Sequence, residues 1–160
     1  MMRAHRWPAA VEPEDLGAVV HGPVVLGRAT GIVAGLRCVF AHRDGLSLPF
    51  VLRAEGVQAE AAARQSFSSH LPLDESGPGS WSEPVVAIGI GDHEGFADPS
   101  RSSGGGGEDS FALDASFWVD ELPTDGKLTI TVSWPQAGLP QTRTELALRP
   151  WTAEEVLPLL

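Results

Sequence analysis

The chain has 160 residues, a formal net charge of −10 and one cysteine, Cys38. This length fits one domain whose core needs no metal or disulfide, and one cysteine excludes an intrachain disulfide and a zinc site of several thiolates. The acidic balance disfavours nucleic-acid and anionic-membrane partners, because both present negative charge.

Most of the negative charge lies in one continuous window, from Asp74 to Asp125. This window holds 12 acidic residues and a single base, Arg101, whereas the flanks together carry 10 bases and 9 acids. Clustered carboxylates repel one another, so a chain keeps them together only when they are solvated, bound to a cation or turned towards a basic partner. The charge pattern therefore predicts an acidic binding surface in this window.

The first 20 residues contain no long apolar run. The basic residues Arg3 and Arg6 are followed by acidic residues and not by the apolar core of a secretory signal, so we expect a cytoplasmic protein. No stretch of the chain approaches the roughly 20 apolar residues that span a bilayer. We predict that residues 1–20 form a loosely attached N-terminal arm before a domain over residues 21–150.

Strand patterns begin after this arm. Residues 24–33 contain one or two weak strands interrupted by glycines. Residues 36–42 and 46–54 are typical of a hairpin, because Asp44-Gly45 favours a tight turn and alternate residues of the second strand are apolar. Since Pro49 cannot donate to a ladder, the second strand is predicted to lie at a sheet edge or to carry a bulge.

Residues 55–69 do not fit a strand, and their alanine-rich centre is compatible with either a short helix or an irregular crossover. Residues 99–110 have the glycine-rich composition of a flexible loop. Near the end of the chain, Thr152 and Glu155 have the spacing of a capping box, which predicts a short helix within a tail over residues 151–160.

The remaining strand patterns lie at residues 85–90, 111–119, 127–134 and 142–148, and the last two form a hairpin. About six or seven short strands separated by Gly, Pro and Asp turns, without amphipathic helices, favour an all-β fold. We predict an antiparallel two-sheet β-sandwich, immunoglobulin-like or related. The oligomeric state stays open.

One candidate site lies in the window at Asp92, His93, Glu94 and Asp98. Carboxylates and an imidazole within seven residues are ligands for Ca²⁺ or Zn²⁺, although the spacing matches no EF-hand and a solvated turn is the simpler alternative. This segment predicts the alternative function of the chain, a divalent-metal-dependent or ligand-binding enzyme. The leading hypothesis requires no cofactor.

That leading hypothesis is a non-enzymatic protein-interaction module with an acidic binding surface. Trp118 has the same strand parity as Asp114 and Asp120, so it is predicted to point to the polar face and to anchor a partner there. The alternative is that the glycine-rich loop or a terminal arm covers this tryptophan. The predicted partner is a basic or strand-donating protein, with residues 46–54 as the receiving edge strand.

Residues 111–148 carry the motifs Asp-Glu-Leu-Pro-Thr-Asp-Gly at 120–126 and Ser-Trp-Pro at 133–135. This stretch, about a quarter of the chain, resembles a segment found in a family of uncharacterised, β-rich actinobacterial proteins. The resemblance implies a β-rich fold and an actinobacterial source. It implies no activity and no functional residue.

Overall fold

A computed structural model describes residues 3–68, 84–107 and 109–159. These residues are mostly β, with two sheets and one α-helix, α1 (Gly56–Ser68). The strands are β1 (Arg3–Trp7), β2 (Ala18–His21), β3 (Val24–Ala29), β4 (Ile32–Leu36), β5 (Val39–Ala41), β6 (Leu46–Glu55), β7 (Val85–Ile90), β8 (His93–Ala97), β9 (Arg101–Gly106), β10 (Ser110–Val119), β11 (Lys127–Trp134) and β12 (Leu139–Ala147).

The first sheet has five strands in the order β1, β8, β7, β11, β12. All its pairs are antiparallel except β1 with β8, which run parallel. The predicted hairpin of residues 127–134 and 142–148 is confirmed as β11 and β12. Its connection is a single 3-10 turn, Pro135–Ala137, which ends at Gly138 with a left-handed φ of 90°.

The second sheet runs in the order β2, β5, β6, β10, β9, and β4 also pairs with β6 while β3 pairs with β4. The predicted β5 and β6 hairpin is confirmed, but β6 is a central strand, so the prediction that residues 46–54 form an edge is wrong. Pro49 fits this central strand because of the direction of its backbone. Its carbonyl accepts a hydrogen bond from Arg37 N at 3.0 Å, so it points to the side of β6 on which β4 and β5 lie. Its nitrogen faces the same side, where β4 ends before β5 begins, so no ladder donor is missing.

The two sheets share one apolar core. Trp134 of the first sheet meets Phe111 of the second edge to face, with ring centroids 5.9 Å apart. The alternate residues of β6 that the pattern predicts to be inward are buried, at 0–1% exposure: Leu46, Leu48, Phe50 and Leu52. Each such side chain contributes about 1.5–3 kcal/mol relative to leaving it in water.

Residues 3–20 contribute strands to both sheets, in contrast to the predicted loose arm. Trp7 is fully buried, and its Nε1 donates to the carbonyl of Ile88 at 2.9 Å. β1 is hydrogen-bonded to β8 and β2 to β5, so this segment crosses from one sheet to the other. The C-terminal segment is attached to it, because Leu16 N donates to Leu157 O at 2.8 Å.

The two segments outside the strand pattern are also ordered locally. Residues 56–68 are helical, and Ala59 and Ala62 of α1 are fully buried against the core. The predicted capping box at Thr152 and Glu155 is present, and it stabilises one 3-10 turn, Ala153–Glu155. The helix therefore resolves the alternative left open for residues 55–69, and the C-terminal turn is as short as expected.

Candidate functional site

The segment 92–98, predicted as a metal-binding loop, is the turn and second strand of a hairpin. Asp92 lies in the turn between β7 and β8, and His93 begins β8. Neighbouring residues of a strand point to opposite faces of the sheet, so the His93 imidazole and the Glu94 carboxylate do not converge. The structure therefore does not bring the four predicted ligands together.

Three of these four side chains have partners elsewhere in the fold. The pairs are His93 Nδ1 with Glu121 Oε1 at 2.5 Å, Arg143 Nη1 with Glu94 Oε1 at 2.9 Å, and Arg6 Nη2 with Asp98 Oδ1 at 2.5 Å. Across residues 3–68, 84–107 and 109–159, no group of three or more His, Cys, Asp or Glu side chains is arranged to hold a metal ion. The geometry gives no support to a metal centre at this hairpin.

The acidic window is partly neutralised by bases from outside it. Three of its carboxylates pair with arginines of the flanks, namely Glu94 with Arg143, Asp98 with Arg6 and Asp114 with Arg53. Four further acids of the window lie outside the described residues: Asp74, Glu75, Glu83 and Glu108. Because strands that are distant in sequence are neighbours in these sheets, clustering along the chain does not produce a uniformly acidic face.

The prediction that Trp118 is exposed is wrong, because only 8% of its surface is accessible. It lies between the inward residues Phe117 and Val119, so it points to the outer face as its parity predicts. That face is covered at this end of β10. The His42 ring packs edge to face on the indole at 5.5 Å, and Gly45 of the β5–β6 turn lies directly against it.

The other two residues of the predicted surface are exposed but separated from each other. Asp114 lies in the middle of β10 with its side chain 54% exposed, and its Oδ1 is 2.8 Å from Arg53 Nη2. Asp120 follows the last residue of β10. The Trp118-centred anchor is therefore absent, and Asp114 is the member that lies beside an open part of the sheet, at strand β9.

Strand β9 is the open edge of the second sheet, and residues 101–106, predicted as a flexible loop, form it. All six of its residues are exposed, and among residues 3–68, 84–107 and 109–159 its one strand partner is β10. After Arg101 the strand contains only serine and glycine, so no bulky side chain of β9 shields its outer side over residues 102–106. The chain therefore presents an edge of six residues.

The direction of the β9 backbone groups follows from one hydrogen bond. Ser100 N donates to Ser116 O at 2.7 Å, which shows that the polar backbone groups of Ser116 point towards β9. Alternate residues of an antiparallel strand point the same way, so Ser103 and Gly105, the register partners of Asp114 and Ala112, face β10. The N–H and C=O groups that face away from β10 belong to Ser102, Gly104 and Gly106.

Two of the β9 glycines are required by close packing on β10. A Cβ at Gly106 would overlap the carbonyl oxygen of Ser110 and lie 3.2 Å from Phe111 Cα, and one at Gly104 would lie 3.0 Å from the Leu113 side chain. At Gly105 a Cβ would meet nothing within 4 Å. Glycine at 104 and 106 therefore lets β9 lie close to β10.

A shallow groove lies beside this edge. It is lined by three residues of β9 and three of β10, namely Arg101, Ser102, Ser103, Asp114, Ala115 and Ser116. The carboxylate of Glu12 forms one end, since it accepts a hydrogen bond from the Ser116 hydroxyl and lies 3.7 Å from Arg101. The groove therefore offers hydrogen-bond donors and acceptors beside apolar surface to side chains that project from an added strand.

Two other reactive residue types have structural surroundings. The buried His42 ring is 2.5 Å from Asp15 Oδ1, which attaches the segment before β2 to the end of β5. Burial raises the pKa of the Cys38 thiol, so the thiolate fraction at neutral pH is small and the residue is poorly reactive. The His42 contact is thus structural, and Cys38 is not a candidate nucleophile.

Sequence reasoning missed the β9 edge because its composition is that of a linker. A strand pattern is read from alternating side chains, and glycine supplies none. The sequence therefore offered no direct signal for a strand at residues 101–106.

Comparison of the chain with family models, with curated proteins and with solved structures found no match. Among the helical residues that the structure describes, no helix is long and apolar enough to cross a membrane.

Proposed function

We propose that this protein is a protein-interaction module that captures an extended segment of a partner chain along β9. The observation that carries the proposal is the exposed edge strand Arg101–Gly106, which within the described part of the chain is hydrogen-bonded on one side only. Exposed edges are templates for strand addition, and proteins that do not use them block them with lysine, proline or bulges. None of these devices interrupts residues 101–106.

The affinity comes from backbone groups in this mechanism. Ser102, Gly104 and Gly106 direct N–H and C=O groups outward, where an added strand satisfies them. A net contribution of about 0.5–1.5 kcal/mol for each hydrogen bond gives moderate affinity for a six-residue edge. The glycines add to it by allowing close approach of the incoming backbone.

The specificity comes from the groove beside the edge. Alternate side chains of an added strand project over the outer face, where they meet Ser103, Asp114 and Ser116. The Asp114 carboxylate pairs with Arg53 and is still about half exposed, so an arginine or lysine of the added strand shares it with Arg53. The predicted basic partner and the predicted strand-donating partner are then one and the same.

The two sheets with one shared core also support the β-sandwich expected from the sequence, and the immunoglobulin-like type is proposed on the pattern of short strands alone. A metal-dependent enzyme is not proposed, because the side chains of its predicted site lie on opposite faces of β8 and pair with other residues.

The test is selection from a displayed library of random 12-residue peptides on the immobilised protein. Each selected peptide is then measured against Ser102→Pro, which removes an outward N–H, and against Ser102→Ala, which keeps it. We expect at least a tenfold weaker Kd with proline and an unchanged Kd with alanine. Equal binding to both variants, with circular dichroism showing both folded, contradicts strand capture at β9.

A further inference from the structure

We propose that a second copy of this chain is one occupant of the β9 edge. The two β9 strands pair antiparallel around a two-fold axis at Gly104, and the second sheets of both copies join into one continuous sheet. This inference rests on the proposed function, since the same outward backbone groups are used. It names the partner and predicts that self-association competes with capture of other strands.

The position of the axis follows from the faces of the sheet. A two-fold axis perpendicular to the joined sheet places the outer faces of the two copies on the same side. Residues directly opposite each other must then have side chains on the same face. This holds only when one residue of β9 lies opposite its own copy, so the axis passes between these two equivalent residues. Gly104 points its backbone groups outward and is near the middle of β9, so an axis there uses the whole strand. Ser102 of each copy then pairs with Gly106 of the other copy.

This register is sterically self-complementary. Every β9 residue that carries a side chain lies opposite a glycine of the second copy, and Gly104 lies opposite itself. The pairs are Arg101 with Gly107, Ser102 with Gly106, and Ser103 with Gly105. An axis at Ser103 instead places two serines opposite each other and leaves Gly106 unpaired. The sequence order of side chains followed by glycines thus favours the Gly104 axis.

Charge at the two ends of the strand favours the same arrangement. Arg101 begins β9 with a side chain that is 80% exposed, and its carboxylate neighbour Glu12 is 3.7 Å away. In the Gly104 register each Arg101 lies opposite Gly107, two residues from Asp109 of the second copy. Asp109 immediately precedes β10, so a long arginine side chain extends past the end of β9 towards it, and a basic and an acidic residue lie near each other at both ends.

The expected association is weak. A six-residue edge forms a smaller interface than the roughly 1,200–2,000 Å² of stable complexes. Dimerisation should therefore depend on concentration and yield to a better strand, which makes the dimer a reversible block of the binding edge. Reversal of charge by Arg101→Glu should weaken it, because two glutamates would then lie near the two copies of Asp109.

The first measurement is sedimentation velocity over a concentration series that reaches the millimolar range. The wild-type protein and Ser102→Ala should shift from the 16.9 kDa monomer towards twice that mass, whereas Ser102→Pro should stay monomeric. A wild-type protein that stays monomeric throughout overturns the proposal. If library peptides still bind the β9 edge in that case, the proposed function stands and only self-pairing fails.

The second measurement tests the register, in a Cys38→Ser background. Ser103 and the second copy's Gly105 form a non-hydrogen-bonded pair, whose Cα atoms are about 4.5 Å apart, within the range of a disulfide. Mixing Ser103→Cys with Gly105→Cys under oxidised glutathione should give crosslinked dimer faster than either variant alone. Equal crosslinking in all three samples contradicts the Gly104 axis.

Discussion

Glu94 on β8 and Arg143 on β12 form an ion pair of 2.9 Å that crosses two intervening strands, β7 and β11. The Glu94 side chain lies over Gly89 of β7, where a Cβ would be 3.6 Å from its Cγ. A carboxylate of the acidic window is thus neutralised by a base about 50 positions away in the chain. The pair shows how the fold disperses a charge cluster that is continuous in sequence.

This pair should contribute little to stability. The Arg143 side chain is 55% exposed, and exposed ion pairs are worth about 0.2–1 kcal/mol. We expect a coupling energy in that range from a double-mutant cycle of Glu94→Gln and Arg143→Ala, measured by urea unfolding, and a decrease at 1 M salt. A coupling above about 2 kcal/mol contradicts the solvated geometry.

Trp118 should behave as a core residue. Trp118→Ala removes a buried indole from its contacts with His42 and Gly45, and we expect a loss of about 3–5 kcal/mol in the free energy of unfolding. The matched control is Phe96→Ala on the outer face of the first sheet, where Phe96 is 56% exposed, with a change within about 0.5 kcal/mol. A loss for Trp118→Ala as small as that of the control would contradict the burial of Trp118.

Alanine substitutions at two glycines of β9 should have very different effects on the free energy of unfolding. Gly106→Ala forces a Cβ against the Ser110 carbonyl and should destabilise the protein by about 1–3 kcal/mol. Gly105→Ala meets open space and should be neutral or stabilising by up to about 1 kcal/mol, because alanine restricts the unfolded chain. If residues 101–106 were a flexible loop, thermal unfolding would rank the two variants equally.

Acid should weaken the C-terminal turn through Glu155. A hydrogen bond from the Thr152 backbone N–H and another from Arg149 hold the pKa of Glu155 below its ordinary value of 4.5. Because the folded pKa is the lower one, Glu155 stabilises the fold above the unfolded pKa, and this stabilisation disappears as pH falls through the folded pKa. Glu155→Gln should therefore lower Tm at neutral pH and leave Tm unchanged at about pH 2.

The control for this prediction is Glu154→Gln, since Glu154 is in the same turn and makes neither hydrogen bond. Its Tm should follow that of the wild-type protein at every pH. A Glu155→Gln variant with the same Tm difference at low and neutral pH would show that the carboxylate charge has no role.

The strands with alternating side chains could be predicted from the sequence. In β6 and β11 the alternation of apolar and other residues predicts correctly which side chains are buried, because large apolar residues such as Phe50 and Ile130 occupy the inward positions. The spacing of Thr152 and Glu155 was also sufficient to predict the capping box. These features depend on residues that are close together in the chain.

The features that sequence reasoning missed depend on distant residues. Parity predicts which face Trp118 points to, but the His42 ring that covers it comes from another strand. The central position of β6 depends on β10 pairing with it, and Pro49 is accommodated by a break between two partner strands. Ion pairing of the acidic window requires the strand order of both sheets, which no local pattern contains.

Hydrogen exchange at the β9 amides tests the central claim most directly. In dilute protein without peptide, the amides of Ser102, Gly104 and Gly106 should exchange fast, while those of Ser103 and Gly105, which face β10, exchange slowly. Saturation with a library-selected peptide should slow the three outward amides by at least about tenfold. If these three exchange at the same rate while the peptide is bound, strand capture at β9 is contradicted.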